Sequence, residues 1–307
     1  MKGTLYLILT GFFLGTIGIW VKLIGTSVSP FLLTIFRVLL AGALIFLLVL
    51  FTKDLRTIET LGIKKKNLLL FLVAGFFGVA IGFGFFMKSF SYVPVANVVL
   101  LVYIYPLVTA LLSWIFLRER ITRLEGVSLV LVLLGVWSIY GSELGLGANM
   151  LGNVLALLSG CGYAVFFVFI RFFERKGLPY WKVTFWPLVI GGLILIFFLP
   201  FEPLAFSFGD FIPLYILGIG FVSFLGYVLY AKGLKTIRVH NAAIIVTLTE
   251  PLTAIVLAFL ILRESLPQHV MIGGVFIILA NFLIGKQVRK KRIERTKETS
   301  EGFGWVW

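Results

Sequence analysis

A chain of 307 residues that is 60% hydrophobic and only 13% charged has too little charge to cover a water-facing surface, so a soluble globular protein is excluded. Its net charge of +14 does not point to nucleic acid, because the basic residues lie in short segments between apolar runs and form no basic patch interleaved with aromatics. The single cysteine, Cys161, excludes an intrachain disulfide and a cysteine metal cluster, and reads as a small packing residue.

A membrane helix needs roughly 17–25 apolar residues. In chain order, runs of that kind cover about 4–24, 31–51, 67–90, 96–117, 125–142, 150–173, 181–200, 211–235, 241–262 and 268–286. Lys2 precedes the first run and no small-residue cleavage site follows it, so it reads as a retained helix and not as a signal peptide. Turn chemistry or charge separates the runs, as at Ser29-Pro30, Arg118 to Arg123, Arg175 to Pro179 and Arg263 to Pro267. The predicted fold class is all-α: a polytopic membrane protein of ten transmembrane helices. Charge sidedness supports the count. Of the 27 Lys and Arg residues, all but Lys22, Arg37, Lys88 and Arg263 fall on one side of a ten-span arrangement. The positive-inside rule then places both termini in the cytoplasm of a multi-pass protein of the cell membrane. Residues 287–307 form a basic tail suited to anionic lipid.

The chain also repeats. At one common offset, Gly75-Phe76, Pro106-Leu107 and Leu117-Arg118-Glu119 fall on Gly220-Phe221, Pro251-Leu252 and Leu262-Arg263-Glu264. Two halves, 1–142 and 150–286, with five spans each, enter the membrane from opposite sides because five is odd. Inverted repeats of this kind place a binding site near the midplane between the halves, and alternating access follows from rocking one half against the other.

Around the ends of the fourth and ninth spans, Tyr105-Pro106-Leu107 with Leu117-Arg118-Glu119-Arg120, and Glu250-Pro251-Leu252 with Leu262-Arg263-Glu264-Ser265, the chain resembles the EamA-type branch of the drug/metabolite transporter superfamily. Arg37, seven residues after Pro30, also matches that family's pattern. The resemblance covers the chain to about Lys286. It implies secondary transport of amino acids, other metabolites or drugs, mostly outward. Tyr105 stands where the second half has Glu250, so the halves are not chemically equivalent.

Two intramembrane charges lead the candidate substrate site. Glu250 lies about 13 Å into its helix at 1.5 Å per residue, near the midplane, and Pro251 after it frees a carbonyl one turn earlier. A carboxylate at that depth costs about 2.5–3.5 kcal/mol on insertion scales, so it should face the bundle interior or a wet cavity. It reads as a substrate-amine or proton site, or as a protonated acid bonded to the fourth helix. Arg37, about 10 Å into the second span, reads as a carboxylate anchor, a partner of Glu250, or a cap for backbone carbonyls. A plus and a minus together match a zwitterionic amino acid. Tyr103, Tyr105, Tyr163, Tyr227 and Trp20 are the aromatics near enough to line a cavity, with packing as their ordinary role. Glu119 and Glu264, with Pro106 and Pro251, mark helix ends that could gate, or simply pair with Arg118 and Arg263. Lys22 and Lys88 read as snorkelling to the external interface.

No phosphate loop and no His-Glu-x-x-His or Gly-x-Ser-x-Gly motif occurs, so no cofactor and no enzymatic role is expected. The expected partners are a small-molecule substrate, the lipid bilayer and protons as a coupling ion. The expected function is an amino-acid or related metabolite exporter, with a drug permease as the alternative and a receptor or intramembrane enzyme behind it.

Overall fold

In the computed structural model, residues 2–51, 62–63, 65–93, 98, 101–119, 122–140, 150–207, 209, 211–262 and scattered positions from 268 to 283 are described. Lipid offers the backbone no hydrogen bonds, so spanning segments must satisfy their amides internally, and helices do so. Among the described residues the chain is helical throughout, apart from one isolated bridge between Val28 and Phe206. The helices are α1 Lys2–Gly15, α2 Ile17–Ile24, α3 Pro30–Phe51, α4 Lys65–Val73, α5 Phe85–Ser89, α6 Tyr105–Leu117, α7 Arg123–Tyr140, α8 Met150–Arg175, α9 Tyr180–Ile196, α10 Ile212–Leu234 and α11 Val239–Leu262. Among the described residues, five stretches are long and apolar enough to cross a membrane: Lys2–Ser27, Pro30–Phe51, Asn67–Ser89, Met150–Arg175 and Ile212–Leu234. The shorter apolar helices α6 and α9 accompany them. The tenth run falls largely outside the described residues, and the basic tail wholly so.

Local chemistry sets the ends. Thr16 interrupts the first rod: its hydroxyl donates to the Phe13 carbonyl at 2.7 Å and accepts the Trp20 indole N–H at 3.3 Å. Thr122 and Glu125 form a capping box ahead of α7, each backbone N–H bonded to the other's side chain. Gly177, at φ 80°, closes α8, with the Leu178 N–H reaching the Phe173 carbonyl and the Gly177 N–H reaching Glu174. The third rod departs from regular α geometry, because a π-helical segment, Ala74–Gly84, joins α4 to α5.

The rods pack by crossing between the two ends of the chain. α1 lies against α10 and α11, α3 against α9 and α10, the π segment against α8 and α9, and α6 against α8 and α11. Exchange α1 with α8, α3 with α9, the π segment with α10, and α6 with α11, and each of these contacts maps onto another contact of the set. Large side chains such as Phe51, Leu69, Trp114, Phe116 and Leu260 point outward, as a lipid-facing surface requires.

Both ends of the bundle are tied. At the basic end, Arg175 donates to the Leu117 carbonyl and to Glu119 Oε1, each at 2.6 Å, while Arg171 donates to the Leu234 carbonyl. At the opposite end the Ser29 N–H bonds the Ala205 carbonyl at 2.9 Å. There Glu202 accepts the Phe31 N–H at 2.9 Å and the Lys88 ammonium at 3.2 Å. Lys88 therefore does not snorkel; it is buried on a carboxylate from the other half of the chain. Glu202→Gln keeps an acceptor for Phe31 but leaves Lys88 without its counter-charge, and is expected to cost about 1.5 kcal/mol. Thermal unfolding in detergent measures this; an unchanged midpoint would show the latch to be idle.

Candidate substrate site

The inward face of α3 carries Leu33, Thr34, Arg37, Val38, Ala41 and Ile45, a helical stripe that brings one cation into an otherwise apolar interior. Arg37 is 0% exposed; Nε, Nη1 and Nη2 make no hydrogen bond of good geometry among the described residues, though the Tyr163 hydroxyl approaches the guanidinium. Its guanidinium carbon lies 5.2 Å from the centre of the Phe83 ring. That ring is held by its neighbours: stacked on Tyr227 at 5.2 Å and 2°, and edge-on to Tyr163 at 4.8 Å and Phe166 at 5.0 Å. The cation thus rests on the face of Phe83, which rings from α8 and α10 hold in place, a favourable cation–π setting that itself offers no counter-charge.

Glu250 comes from α11, is half-buried, and is followed by the buried Pro251 within the helix. It lies within electrostatic reach of Arg37, and Tyr163 and Tyr227 lie within reach of both. Gly15 of α1 opposes the Glu250 carbonyl, so close that a Cβ there would stand 2.6 Å from the oxygen. Tyr105 ties α6 to α11. Its hydroxyl accepts from Thr247 at 2.5 Å and donates to the Ala243 carbonyl at 3.2 Å, with its ring 6.0 Å from Tyr163 and 5.7 Å from Phe167. Tyr105→Phe removes both bonds and leaves the Thr247 hydroxyl buried without this partner. A loss of about 2 kcal/mol in stability is expected, read as a lower unfolding midpoint.

The structure brings Arg37, Glu250, Tyr105, Tyr163 and Tyr227 together, with Tyr103 at the margin, 6.3 Å from Tyr105. Pro106 is the second residue of α6, next to Tyr105. Trp20 lies elsewhere: it packs on Gly218 and Tyr215 in an apolar groove of about 650 Å³ that Leu40, Leu44, Leu214 and Phe221 also line. Glu119 is at the basic end, held by Arg171 and Arg175 of α8 and not simply by neighbouring Arg118, which adopts a left-handed turn at φ 53°. Glu264 lies outside the described residues. Phe83, Phe166, Thr247 and Glu202 escaped sequence reasoning. The only hint for Phe83 was its place after Gly82 in a glycine-spaced run.

Among the described residues no group of three His, Cys, Asp or Glu side chains could hold a metal ion. Arg37 and Glu250 are thus charges set among apolar helices, in a bundle of the kind that multi-pass membrane transporters form. The chain belongs to the EamA-like transporter family, whose profile matches residues 1–141 and 150–286. Relatives of nearly full length are described as uncharacterized transporters. One from Archaeoglobus fulgidus is 28% identical over 92% of this chain and 95% of its own. Another, YyaM of Bacillus subtilis, is 27% identical over 89% of each. A solved crystal structure superposes with a TM-score of 0.76 at 20% identity, covering 94% of this chain and 98% of the other, which shows the fold.

Proposed function

We propose that the protein is a secondary-active carrier that exports a small metabolite, an amino acid in the first place, by alternating access across the cell membrane. The observation that carries the reading is Arg37, fully buried with none of its three guanidinium nitrogens in a well-formed hydrogen bond among the described residues. A charge is kept in such a place at a cost, and a guanidinium fork is the geometry that holds a carboxylate by two parallel bonds. Glu250, opposite in charge and within electrostatic reach, suits the ammonium of the same molecule. The reading includes ten spans, both termini in the cytoplasm, and two inverted five-helix halves, 1–142 and 150–286. The exchange pattern of the packing rods supports the halves.

The aromatic shell favours one second reading, a permease for flat cationic drugs that uses Glu250 and the ring faces. Counterflow of radiolabelled amino acids into proteoliposomes separates the two. The first reading expects amino-acid accumulation that Glu250→Gln lowers at least ~10-fold, the loss of one charged hydrogen bond. If no amino acid moves, or if Glu250→Gln changes nothing, that reading is wrong. Drug flux that survives Arg37→Gln would install the second.

A further inference from the structure

A guanidinium does not give up its proton inside a protein, so the dry shell around Arg37 needs a compensating negative charge in each state the carrier visits. Among the described residues, the titratable groups within electrostatic reach of Glu250 are Arg37 from α3, Tyr105 from α6, Tyr163 from α8 and Tyr227 from α10. Gly11 and Gly15 of α1 lie against the Glu250 backbone, and α2 and α7 also pack on α11. The phenols carry no charge, so among these groups Glu250 alone can balance Arg37. Yet among the described residues it makes no hydrogen bond to the guanidinium, which only the Tyr163 hydroxyl approaches among these groups. Balance across the site is therefore electrostatic, and the guanidinium keeps unused hydrogen-bonding capacity.

We infer that Glu250 is the charge balancer of the site: it stays ionised when the cargo brings its own ammonium, and it takes up one proton when the cargo is a net anion. The inference rests on Arg37 anchoring the cargo's carboxylate, as proposed above. In the empty site Arg37 and the Glu250 carboxylate cancel. With an amino acid bound, the cargo carboxylate faces Arg37, the ammonium faces Glu250, and the sum stays zero with no proton taken up. With a carboxylate that lacks an ammonium, the anion faces Arg37 and the Glu250 carboxylate must be neutralised by a proton from water to reach the same sum. The site then crosses the membrane without net charge in all three states. Coupling to protons becomes a property of the cargo's charge and not of the carrier alone.

The test uses the full-length protein in detergent at pH 8 and two acids with one carbon skeleton, leucine and 2-oxo-4-methylpentanoate. Calorimetric titration in phosphate and in Tris, which differ in ionisation enthalpy, reads the protons taken up per acid bound. Leucine is expected to take up none and the oxo acid about one, since binding linked to a single group moves one proton. Glu250→Gln should bind the oxo acid with no proton uptake and lose most of its affinity for leucine. Should that variant fail to fold, Glu250→Asp must retain the proton uptake with the oxo acid. Equal proton uptake for the two acids in the native protein, or uptake that persists in Glu250→Gln, overturns the inference while leaving the transport reading standing. Binding of neither acid removes the amino-acid reading, and this inference with it.

Discussion

Replacing Arg37 by glutamine is expected to lower substrate flux at least ~100-fold while leaving the protein no less stable to heat. Two charge-assisted hydrogen bonds to a carboxylate contribute about 1.5–3 kcal/mol each, and a hundredfold loss needs about 2.8 kcal/mol. Stability should not suffer, because the guanidinium nitrogens make no well-formed hydrogen bond among the described residues and Glu250, left without its counter-charge, can take up a proton. It would also relieve the helix bundle of a buried charge set on the Phe83 ring, with the Glu250 carboxylate at longer range. Arg37→Lys is expected to fail as well, since an ammonium is a point charge without the planar fork. Initial rates in proteoliposomes, read beside tryptophan fluorescence melts, give both quantities. Wild-type flux in the glutamine variant would remove Arg37 from the site.

Gly162→Leu is expected to destabilise the fold by more than about 3 kcal/mol, to the point of poor recovery from membranes. A Cβ at Gly162 would stand 2.5 Å from the Gly82 Cα and 2.5 Å from the Phe77 carbonyl oxygen. Both are backbone atoms of the π segment, so no rotamer change makes room. The Ser159 hydroxyl, bonded to the Gly82 carbonyl at 2.7 Å, fixes the same approach one turn away. Gly18→Ala is the control: its Cβ meets nothing within 4 Å. The exposed helix there should gain a few tenths of a kcal/mol or more from alanine's propensity. Size-exclusion recovery after heating compares the two; a Gly162→Leu protein as robust as wild type would show that the rods can separate freely.

The membrane class and the helical rods were legible because they rest on length and charge, which need no tertiary partner. The membrane-embedded charges stood out for the same reason: Arg37 and Glu250 interrupt apolar runs where a charge is expensive. Partners were another matter. Beyond its place after Gly82, nothing in the sequence tells Phe83 from the rest of the 32 phenylalanines. Its place under Arg37 depends on the π segment, and that geometry is set by the close approach of Gly82 to Gly162 and Gly75 to Ile190 and Gly191. Lys88 looked like a snorkelling lysine because its partner, Glu202, lies far along the chain in a connecting segment with no periodicity to read. For Glu119 the adjacent Arg118 was the obvious partner, yet the left-handed turn at Arg118 ends α6 and the carboxylate meets α8 instead.

Arg171 and Arg175 stand one turn apart on α8, and between them they hold the final carbonyls of α6 and α10 with Glu119 in the middle. These ties issue from a single helical turn, so one cannot be released by a small tilt of α8 while the others stay. For a carrier that opens at this end, the first ångström of movement meets nearly the whole resistance and the remainder meets little. Passage there should be abrupt, with long dwells in the shut form and no stable half-open one, and its frequency should set the turnover of the cycle.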